Sequence, residues 1–333
     1  MTLTIVTTLY RSAPHLEEFH RRATAAAMRV SADYEIVYVN DGSPDDSLSV
    51  ALAIQRCDRH VRVVDLSRNF GHHPAMMEGL RQARGDLVFL LDSDLEEAPE
   101  WLEPFHAHLT ARSVDAVYGV QESRKGGWVE RLTGWFFFAV LVRRLGLPFA
   151  RNSVTARLMT RRFVDALTQF HEREFGIVGL CALTGFSQDA VPVRKVSLGR
   201  TTYSFGLRLG ALVNSITSFS SRPLVLVFQL GCAIVVLAMA AGLIIIWRRL
   251  VNGIGVPGYA SLVVSIWFLG GLMVFSIGLV GIYLAKVFVE VKQRPATIVR
   301  AQFPEPDQAT EQWSRPERAA RSLREVSDST FRH

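Results

Sequence analysis

Short hydrophobic runs rich in β-branched residues alternate with longer stretches of helical periodicity over the first part of the chain. Each run has the length of a strand, and each intervening stretch is long enough to cross back over a sheet. This alternation predicts an α/β fold with a mostly parallel sheet and helices on both faces. The predicted strands are 3–9, 35–39, 61–66 and 87–91, and the predicted helices are 14–30, 45–57 and 72–84.

Two much longer apolar stretches follow in the last third of the chain. Residues 223–247 contain no charged side chain. As a helix this stretch would be about 37 Å long, more than the roughly 30 Å hydrocarbon core of a bilayer. A second uncharged stretch begins at Leu250, but Asn, Gly and Pro residues interrupt its start. The pattern therefore predicts two transmembrane helices, at about 223–247 and 261–285, joined by a short loop at 248–260.

Basic residues near the span ends indicate the orientation of the protein. They are more numerous on the side shared by the N-terminal domain and the tail, which the positive-inside rule makes cytoplasmic. The N-terminus also lacks the basic start and apolar core of a signal peptide. We therefore expect both termini in the cytoplasm, and the short two-span architecture favours a bacterial inner membrane. The basic residues are Arg222, Lys286, Lys292 and Arg294 on the cytoplasmic side, against Arg248 and Arg249 in the loop.

Two shorter apolar stretches are flanked by basic residues. Residues 134–142 are too few to span a bilayer, and residues 205–221 repeat apolar side chains at helical spacing. We interpret both as interfacial amphipathic helices with their basic groups toward lipid phosphates. Ordinary core helices of the soluble domain are the alternative. Residues 304–333 are polar, charged and non-periodic, which is typical of a disordered segment.

Composition and charge agree with this organisation. The chain has 333 residues, of which 49% are hydrophobic and 20% charged, which excludes a wholly disordered or fibrous protein. Residues 1–111 carry 10 basic and 17 acidic side chains, whereas residues 112–222 carry 16 and 7. Lipid phosphates account for the basic middle, and we expect no nucleic-acid partner. Cys57, Cys181 and Cys232 have no CxxC spacing, so neither a disulfide framework nor a zinc site is indicated.

The positions directly after the predicted strands are polar, although the strands are apolar. Ligands of such sheets bind beyond the carboxyl ends of the strands, so we expect the binding and catalytic residues there. The last segment is the most informative, because Asp92 and Asp94 follow a hydrophobic run one residue apart. Their carboxylates suit a hard divalent cation that also binds diphosphate oxygens. The four polar segments are 10–12, 40–43, 67–73 and 92–97.

Several short motifs follow one another in a characteristic order over about residues 3–300. They are Asp41-Gly-Ser43, Arg68-Asn-Phe-Gly71 followed by Ala75 and Gly79, Gly85-Asp86, Asp92-x-Asp94-Leu95 with Pro99-Glu100, Arg157-Leu-Met159, and Ser218-Phe-Ser220 leading into Arg222-Pro-Leu. Together they resemble the membrane-anchored family 2 glycosyltransferases that transfer a sugar to a polyprenyl phosphate. That family includes dolichyl-phosphate mannose synthases and the bacterial undecaprenyl-phosphate glucosyl- and aminoarabinosyltransferases.

The resemblance implies a GT-A fold, a nucleotide-sugar donor, a Mg²⁺ or Mn²⁺ cofactor, and inversion at the anomeric carbon. It suggests candidate residues of four kinds. Those for donor binding are Thr8, Tyr10, Asp41, Arg68 and Asp92, and those for metal binding are Asp92, Asp94 and Glu96. Those for the acceptor phosphate are Arg124, Arg131 and Arg200, and the catalytic candidates are Asp94 and Glu97. Glu97 is interpreted either as a residue that orients or deprotonates the acceptor or as a solvated loop carboxylate.

The chain departs from the family pattern at three places. The common Tyr-Asn-Glu after the first strand reads 10–12 Tyr-Arg-Ser, and the common Asp-Leu-Gln-Asp reads 94–97 Asp-Leu-Glu-Glu. The lysine of a Gly-x-Ser-Lys-Tyr element is missing at 199–203, where Arg200 supplies a charge instead. These departures suggest an unusual sugar or nucleotide.

Four parts of the chain follow from these interpretations. They are a nucleotide-sugar-binding core at 1–125, an acceptor-side part with interfacial helices at 126–222, two transmembrane helices within 223–289, and a largely disordered cytoplasmic tail at 290–333. The predicted function is transfer of a sugar to a polyprenyl phosphate, most simply undecaprenyl phosphate, at the cytoplasmic membrane face. The alternatives are a membrane glycosyltransferase with a hydroxyl acceptor and a non-catalytic membrane scaffold. Assembly into a homo-oligomer is left open.

Overall fold

The computed structural model describes residues 1–121, 153–172, 176–195, 222–252 and 258–304. The predicted interfacial stretches 134–142 and 205–221 lie outside the described residues, as does the tail from residue 305. Their placement at the bilayer surface and the disorder of the tail beyond that residue remain predictions.

All seven elements predicted for the N-terminal part are present, with boundaries that differ by a few residues. They are β1 Leu3–Leu9, α1 Ala13–Val30, β2 Tyr34–Asn40, α2 Ser47–Cys57, β3 Val61–Leu66, α3 His72–Gln82 and β4 Leu87–Leu90. The later elements are α4 Leu102–Arg112, β5 Ala116–Gln121, β6 Ser153–Thr160, α5 Arg161–Leu167, α6 Ile177–Leu183, β7 Gln188–Val193, α7 Arg222–Asn252, α8 Tyr259–Val291 and β8 Val299–Phe303.

The described strands form one eight-stranded sheet in the order β7-β5-β6-β4-β1-β2-β3-β8. Strand β1 lies inside the parallel part, because Leu3 pairs with Tyr34 of β2 on one side and with Leu87 of β4 on the other. The four predicted strands are parallel throughout. Strand β6 runs antiparallel between β4 and β5, and β8 runs antiparallel to β3. The α/β prediction is thus confirmed, and the whole sheet is mixed.

Successive side chains of the parallel strands enter two separate core layers. Ile5 lies in the layer that contains apolar side chains of α1, α2 and α4. Its neighbour Val6 lies in the opposite layer, with side chains of α3, α5 and α6. Because side chains alternate along a strand, burial on both faces requires the continuous apolar runs seen in the sequence.

The two apolar stretches predicted as spans form the long helices α7 and α8. Helix α7 covers 223–247 and continues to Asn252, because arginine and leucine at 248–250 favour helix and the first glycine follows at position 253. Within the described residues one helical segment, Phe268–Val291, is long and apolar enough to cross a membrane. It extends past the predicted end at Ala285, so a single charged side chain such as Lys286 does not end the helix. The two-span arrangement remains a prediction.

The segment after α8 differs from the expected disordered tail. Residues Val299–Phe303 form β8, in which Phe303 pairs with Val63 and Val299 pairs with Leu66 at the end of β3. The returning strand covers what would otherwise be an open edge of the sheet beside β3. Its five residues are too few to have stood out in the sequence. The segment predicted as a disordered tail, 290–333, therefore begins within α8 and includes a strand of the folded sheet.

Asp45 joins the turn after β2 to the start of α1. Its carboxylate accepts hydrogen bonds from the hydroxyls of Ser43 and Ser47 and from the backbone N–H groups of Ser47 and Ala13, both at 3.2 Å. Burial alone would raise the pKa of Asp45, but these hydrogen bonds outweigh it and lower the pKa to about 2. A carboxyl group with a lowered pKa stabilises the fold when ionised, and this contribution is lost as the pH falls from about 4 toward 2.

We predict that Asp45→Asn lowers the free energy of unfolding by about 1–2 kcal/mol at neutral pH, because one charged acceptor of several hydrogen bonds is lost. The difference from the wild type should shrink as the pH is lowered toward 2. Thermal unfolding in detergent at several pH values measures both effects. Asp46→Asn is the matched control, since Asp46 is exposed and makes no side-chain cap hydrogen bond to α2. Equal losses in the two variants would contradict the assignment.

Candidate active site

The carboxyl ends of the four parallel strands lie side by side at one edge of the sheet. Leu9 at the end of β1 pairs with Asn40, and Asn40 pairs with Asp65 of β3. Helix α3 begins at this same edge, directly after the segment that follows β3. The polar segments singled out in the sequence therefore leave the sheet at neighbouring positions, as predicted.

Asp41 joins the segment after β2 to the segment after β3. Its buried carboxylate accepts hydrogen bonds from the backbone N–H of Phe70, at 2.7 Å, and of Gly71, at 3.0 Å. The adjacent Gly42 has a φ of +57°, and a Cβ there would lie 2.4 Å from the backbone nitrogen of Asn69. Only glycine permits this close approach. Asp41 is thus a positioning residue for the loop after β3, and its predicted contact with a nucleobase remains a prediction.

The other candidates for donor binding surround this loop. Tyr10 is 47% exposed, and the exposed Arg68 places its guanidinium 4.1 Å from the ring centre of Phe70. Thr8 is buried, and its hydroxyl lies 3.2 Å from Nδ1 of His72. An exposed aromatic ring and a guanidinium at one edge offer stacking and charge to a bound nucleotide. Thr8 is placed to act through His72.

His72 is the first residue of α3 and stands between the ends of β1 and β4. Its Nε2 lies 3.2 Å from Oδ1 of Asp92, opposite the contact that Nδ1 makes with Thr8. Burial lowers the pKa of His72, but the Asp92 carboxylate prevails and raises it above the ordinary value. The N-terminus of a helix also favours negative charge. Two sources of positive potential therefore meet where an anionic ligand would approach Asp92.

One oxygen of the Asp92 carboxylate lacks a hydrogen-bond donor. Oδ1 is buried and receives no hydrogen bond from the described residues, since its contact with His72 has the distance but not the geometry of one. Burial alone would raise the pKa of Asp92, but His72 and the charge of Lys195 outweigh it and lower the pKa. The oxygen thus has His72 as an ion-pair partner but no hydrogen-bond donor. A buried carboxylate oxygen in this state favours a further donor or cation.

Asp94 and Glu96 differ in their surroundings. Asp94 is exposed, and its Oδ1 accepts a hydrogen bond from the backbone N–H of Glu96 at 2.9 Å, across a turn in which Leu95 has a φ of 61°. The carboxylate of Glu96 has its Oε2 3.2 Å from Nζ of Lys195. Among the residues that the structure describes, no three His, Cys, Asp or Glu side chains form a group that could hold a metal ion. The described side chains do not form a cage for a metal ion by themselves, and the assignment of Asp92, Asp94 and Glu96 as metal ligands remains a prediction.

Two carboxylates nevertheless suit a divalent cation whose coordination is completed by a ligand. Mg²⁺ is commonly held by one or two carboxylates together with substrate phosphates rather than by an all-protein cage. The unsatisfied oxygen of Asp92 and the exposed carboxylate of Asp94 are hard oxygen donors of this kind. These residues therefore fit a Mg²⁺ or Mn²⁺ ion shared with a diphosphate.

Lys195 brings a positive charge that the sequence analysis missed. It follows β7, and its Nζ lies 3.2 Å from Oε2 of Glu96 and 3.8 Å from Oε1 of Glu97. Burial alone would lower the pKa of Lys195, but the surrounding carboxylates, Glu97 first, outweigh it and raise the pKa. No motif marks this lysine, because its partners come from a distant part of the chain. Strands β5 and β6 lie between β4 and β7 in the sheet, and this order becomes visible only in the folded structure.

Glu97 is fully buried, at 0% exposure. Its Oε1 accepts a hydrogen bond from the backbone N–H of Thr155 at 2.9 Å, and its Oε2 accepts one from the backbone N–H of Asp92 at 3.4 Å. Burial, and then the charge of Asp92, raise the pKa of Glu97 to about 7. The interpretation of Glu97 as a solvated loop carboxylate is therefore wrong. Its contacts join the segment after β4 to β6, which indicates a positioning role, and its predicted part in catalysis remains a prediction.

The three arginines predicted to bind the acceptor phosphate lie outside the described residues. They are Arg124, Arg131 and Arg200. Their role therefore remains a prediction from the resemblance.

Comparisons with known proteins identify the family of the chain. A family model described as glycosyl transferase family 2 matches residues 4–168. A Mycobacterium tuberculosis protein described as a glycosyltransferase is 49% identical, over 90% of this chain and 88% of its own length. The undecaprenyl-phosphate 4-deoxy-4-formamido-L-arabinose transferase of Sodalis glossinidius is 29% identical, over 90% of this chain and 93% of that protein. A prophage bactoprenol glucosyl transferase homolog of Escherichia coli is 30% identical, over 90% and 99%.

The mixed sheet, with the acidic segment at the carboxyl end of β4, has the architecture of the GT-A type of α/β fold. The relatives identify the family, because about half of the aligned residues are identical to those of a described glycosyltransferase along almost the full length of both chains. The chain belongs to glycosyltransferase family 2. The resemblance found in the sequence is thereby confirmed.

We predict that Glu97→Gln keeps turnover within about tenfold of the wild type, because the amide retains one acceptor and the side-chain volume. Glu97→Ala leaves the N–H groups of Asp92 and Thr155 without their acceptor, and should cost about 1–3 kcal/mol of stability. Thermal unfolding and turnover of both variants test this, with the exposed Glu103→Ala as a control. A loss of about 100-fold or more in Glu97→Gln at unchanged stability would instead indicate a general base.

Proposed function

We propose that this protein transfers a sugar, with inversion at the anomeric carbon, from a nucleotide-sugar donor to a polyprenyl phosphate at the cytoplasmic face of a membrane. The observation that carries the proposal is the buried Oδ1 of Asp92, which receives no hydrogen bond from the described residues and lies beside His72, the first residue of α3. This arrangement suits the diphosphate of a nucleotide-sugar, held between a helix N-terminus and a carboxylate-bound cation.

The donor is expected to lie across the carboxyl ends of the parallel strands. Tyr10 and Arg68 offer exposed surfaces for the nucleoside, while Asp92 and Asp94 would hold a Mg²⁺ or Mn²⁺ ion at the diphosphate. When bound, such an ion acts as a Lewis acid that stabilises the charge on the departing diphosphate. His72 adds positive charge at the same point.

The acceptor class is supported by the relatives and by the chemistry of the site. Two relatives are named for undecaprenyl-phosphate or bactoprenol substrates, and both align over nearly their whole length. A lipid phosphate is already ionised near neutral pH, so its attack on the sugar requires no strong general base. This agrees with the full burial of Glu97. Arg124, Arg131 and Arg200 are proposed to hold the acceptor phosphate through charge-assisted hydrogen bonds.

The path of the chain after α8 supports a position close to the membrane. Helix α8 ends at Val291, and Val299 pairs with Leu66 at the carboxyl end of β3. The connecting residues 292–298 can extend over roughly 25 Å at most. The end of the candidate span is therefore tied to the edge of the sheet that carries the site. Large apolar side chains of α8 such as Ile277, at 71% exposure, are suited to lipid.

We propose the remaining membrane features on the same grounds. Helix α7 would supply a second span, and both termini would lie in the cytoplasm of a bacterial cell. Under this arrangement the acceptor phosphate at the bilayer surface and the donor site on the sheet meet on one side of the membrane. Confinement to that surface would raise the effective concentration of the lipid acceptor.

We predict that the purified full-length protein, given labelled nucleotide-sugars, Mn²⁺ and undecaprenyl phosphate, forms organic-extractable label with at least one donor. Asp92→Ala and Asp94→Ala should each lower this transfer by at least about 100-fold, because the departing diphosphate loses its counter-charge. Asp33→Ala, an exposed aspartate before β2 at the opposite edge of the sheet, is the control and should be active.

Undecaprenol in place of undecaprenyl phosphate distinguishes the acceptor chemistry. Transfer to the alcohol but not to the phosphate would support a hydroxyl-acceptor glycosyltransferase. Absence of transfer with every donor and both acceptors would support a non-catalytic scaffold. Full activity of both aspartate variants would overturn the assigned site.

A further inference from the structure

The strand that returns from α8 enters the sheet at the edge where the donor is proposed to bind. Val299 pairs with the last residue of β3, so the start of β8 lies beside the loop that carries Arg68. The backbone N–H of Ser67 donates to the carbonyl of Ile298 at 2.9 Å, which extends the pairing beyond the end of β3. Residues from the far end of the chain thus adjoin this loop.

Arg300 connects β8 to the interior of this edge. Its Nη1 lies 3.4 Å from Oδ2 of Asp65, and its Nη2 donates a hydrogen bond to the carbonyl of Ser67. Asp65 is 5% exposed, whereas Arg300 is 58% exposed. The guanidinium therefore provides a counter-charge to a buried carboxylate while it fixes the residue before Arg68.

The contacts of Asp65 continue toward the loop after β2. Its Oδ1 accepts a hydrogen bond from the Asn40 side-chain amide at 2.8 Å, and Oδ1 of Asn40 lies 3.3 Å from the backbone nitrogen of Ser43, which donates to it. The hydroxyl of Ser43 in turn accepts a hydrogen bond from the backbone N–H of Arg11 at 2.8 Å. A continuous polar network thus runs from β8 to the loops after β1 and β2.

Three donor-binding candidates lie next to members of this network. Tyr10 precedes Arg11, Asp41 follows Asn40, and Arg68 follows Ser67. Because buried polar networks are rigid only when each member is satisfied, loss of one cation at the end of the network affects the members beyond it. Removal of Arg300 would leave the buried Asp65 carboxylate without this counter-charge and free the carbonyl of Ser67.

We propose that Arg300 is a positioning residue for the nucleotide part of the donor, so that the strand after α8 is a functional part of the donor site. The inference rests on the proposed function, because it concerns the same site. Its consequence is that the membrane-anchored end of the chain sets the geometry of nucleotide binding. Arg300 acts through Asp65, Asn40 and Ser67, and no contact of its own with the donor is required.

Nucleotide binding by the full-length protein tests the proposal. Wild type, Arg300→Ala and Arg300→Lys are titrated with UDP, GDP and dTDP in the presence of Mn²⁺, and their thermal unfolding is recorded. We expect Arg300→Ala to weaken binding of the preferred nucleotide by about three- to tenfold, the effect of one charge-assisted hydrogen bond. Arg300→Lys should recover part of the affinity, because it keeps the positive charge beside Asp65. In the transfer assay the donor KM should rise while kcat stays within about twofold.

Thr297→Val is the matched control, because it removes a contact of the same returning segment that does not lead to the donor loops. The Thr297 hydroxyl donates to Oε2 of Glu78 on α3 at 2.9 Å. Unchanged affinity in this control, with weaker binding in Arg300→Ala, supports the inference. Wild-type affinity in Arg300→Ala, or equal weakening in both variants in step with lost stability, overturns it and leaves the proposed function intact. Failure of the wild type to bind any of the nucleotides would overturn the proposed function, and this inference with it.

Discussion

Parallel pairing of β1 with both β2 and β4 is the interaction on which the site depends. Parallel strands leave the sheet at the same edge, so the residues after them are brought together whatever their distance along the chain. The loops at this edge are shaped by buried carboxylates that accept backbone hydrogen bonds. Asp41 does this for the loop after β3, and Glu97 does it for the segment after β4 and for β6. Asp41 and Glu97, which the sequence predicts as binding or catalytic residues, thus also stabilise the loops at this edge.

The charges at this edge follow from that construction. Asp92, Asp94, Glu96 and Glu97 crowd one loop, and Lys195 and His72 are the cations placed against it by the described contacts. An anionic diphosphate approaching four carboxylates needs additional positive charge to offset the repulsion. Under the proposed function, a divalent cation on Asp92 and Asp94 would supply it in the form that their oxygens prefer. The departing charge of the donor would then lie at the N-terminus of α3.

Local pattern was sufficient to predict the parallel half of the sheet, because each strand and helix there has its own periodicity and the polar segments follow directly. It was insufficient for residues whose role depends on partners far along the chain. Glu96 and Glu97 are adjacent in the sequence and both lie near Lys195, yet Glu97 is fully buried against β6 whereas Glu96 is partly exposed. Strand β8 was missed because five residues carry little pattern, and its partner β3 precedes both long helices. The helical stretches at 223–247 and 261–285 were recognisable from length and hydrophobicity alone, although membrane insertion is a property of the surroundings as well as of the helix.

The proposed site requires that Asp92 and Asp94 bind a divalent cation together with the donor diphosphate. Calorimetric titration of the full-length protein with UDP and GDP, with and without Mn²⁺, measures this binding and does not depend on knowing the sugar. We expect Mn²⁺ to tighten binding of the preferred nucleotide by at least about tenfold in the wild type, or about 1.4 kcal/mol. We also expect Asp92→Asn to remove this effect. Equal affinity with and without Mn²⁺, or an undiminished effect of Mn²⁺ in Asp92→Asn, would contradict it.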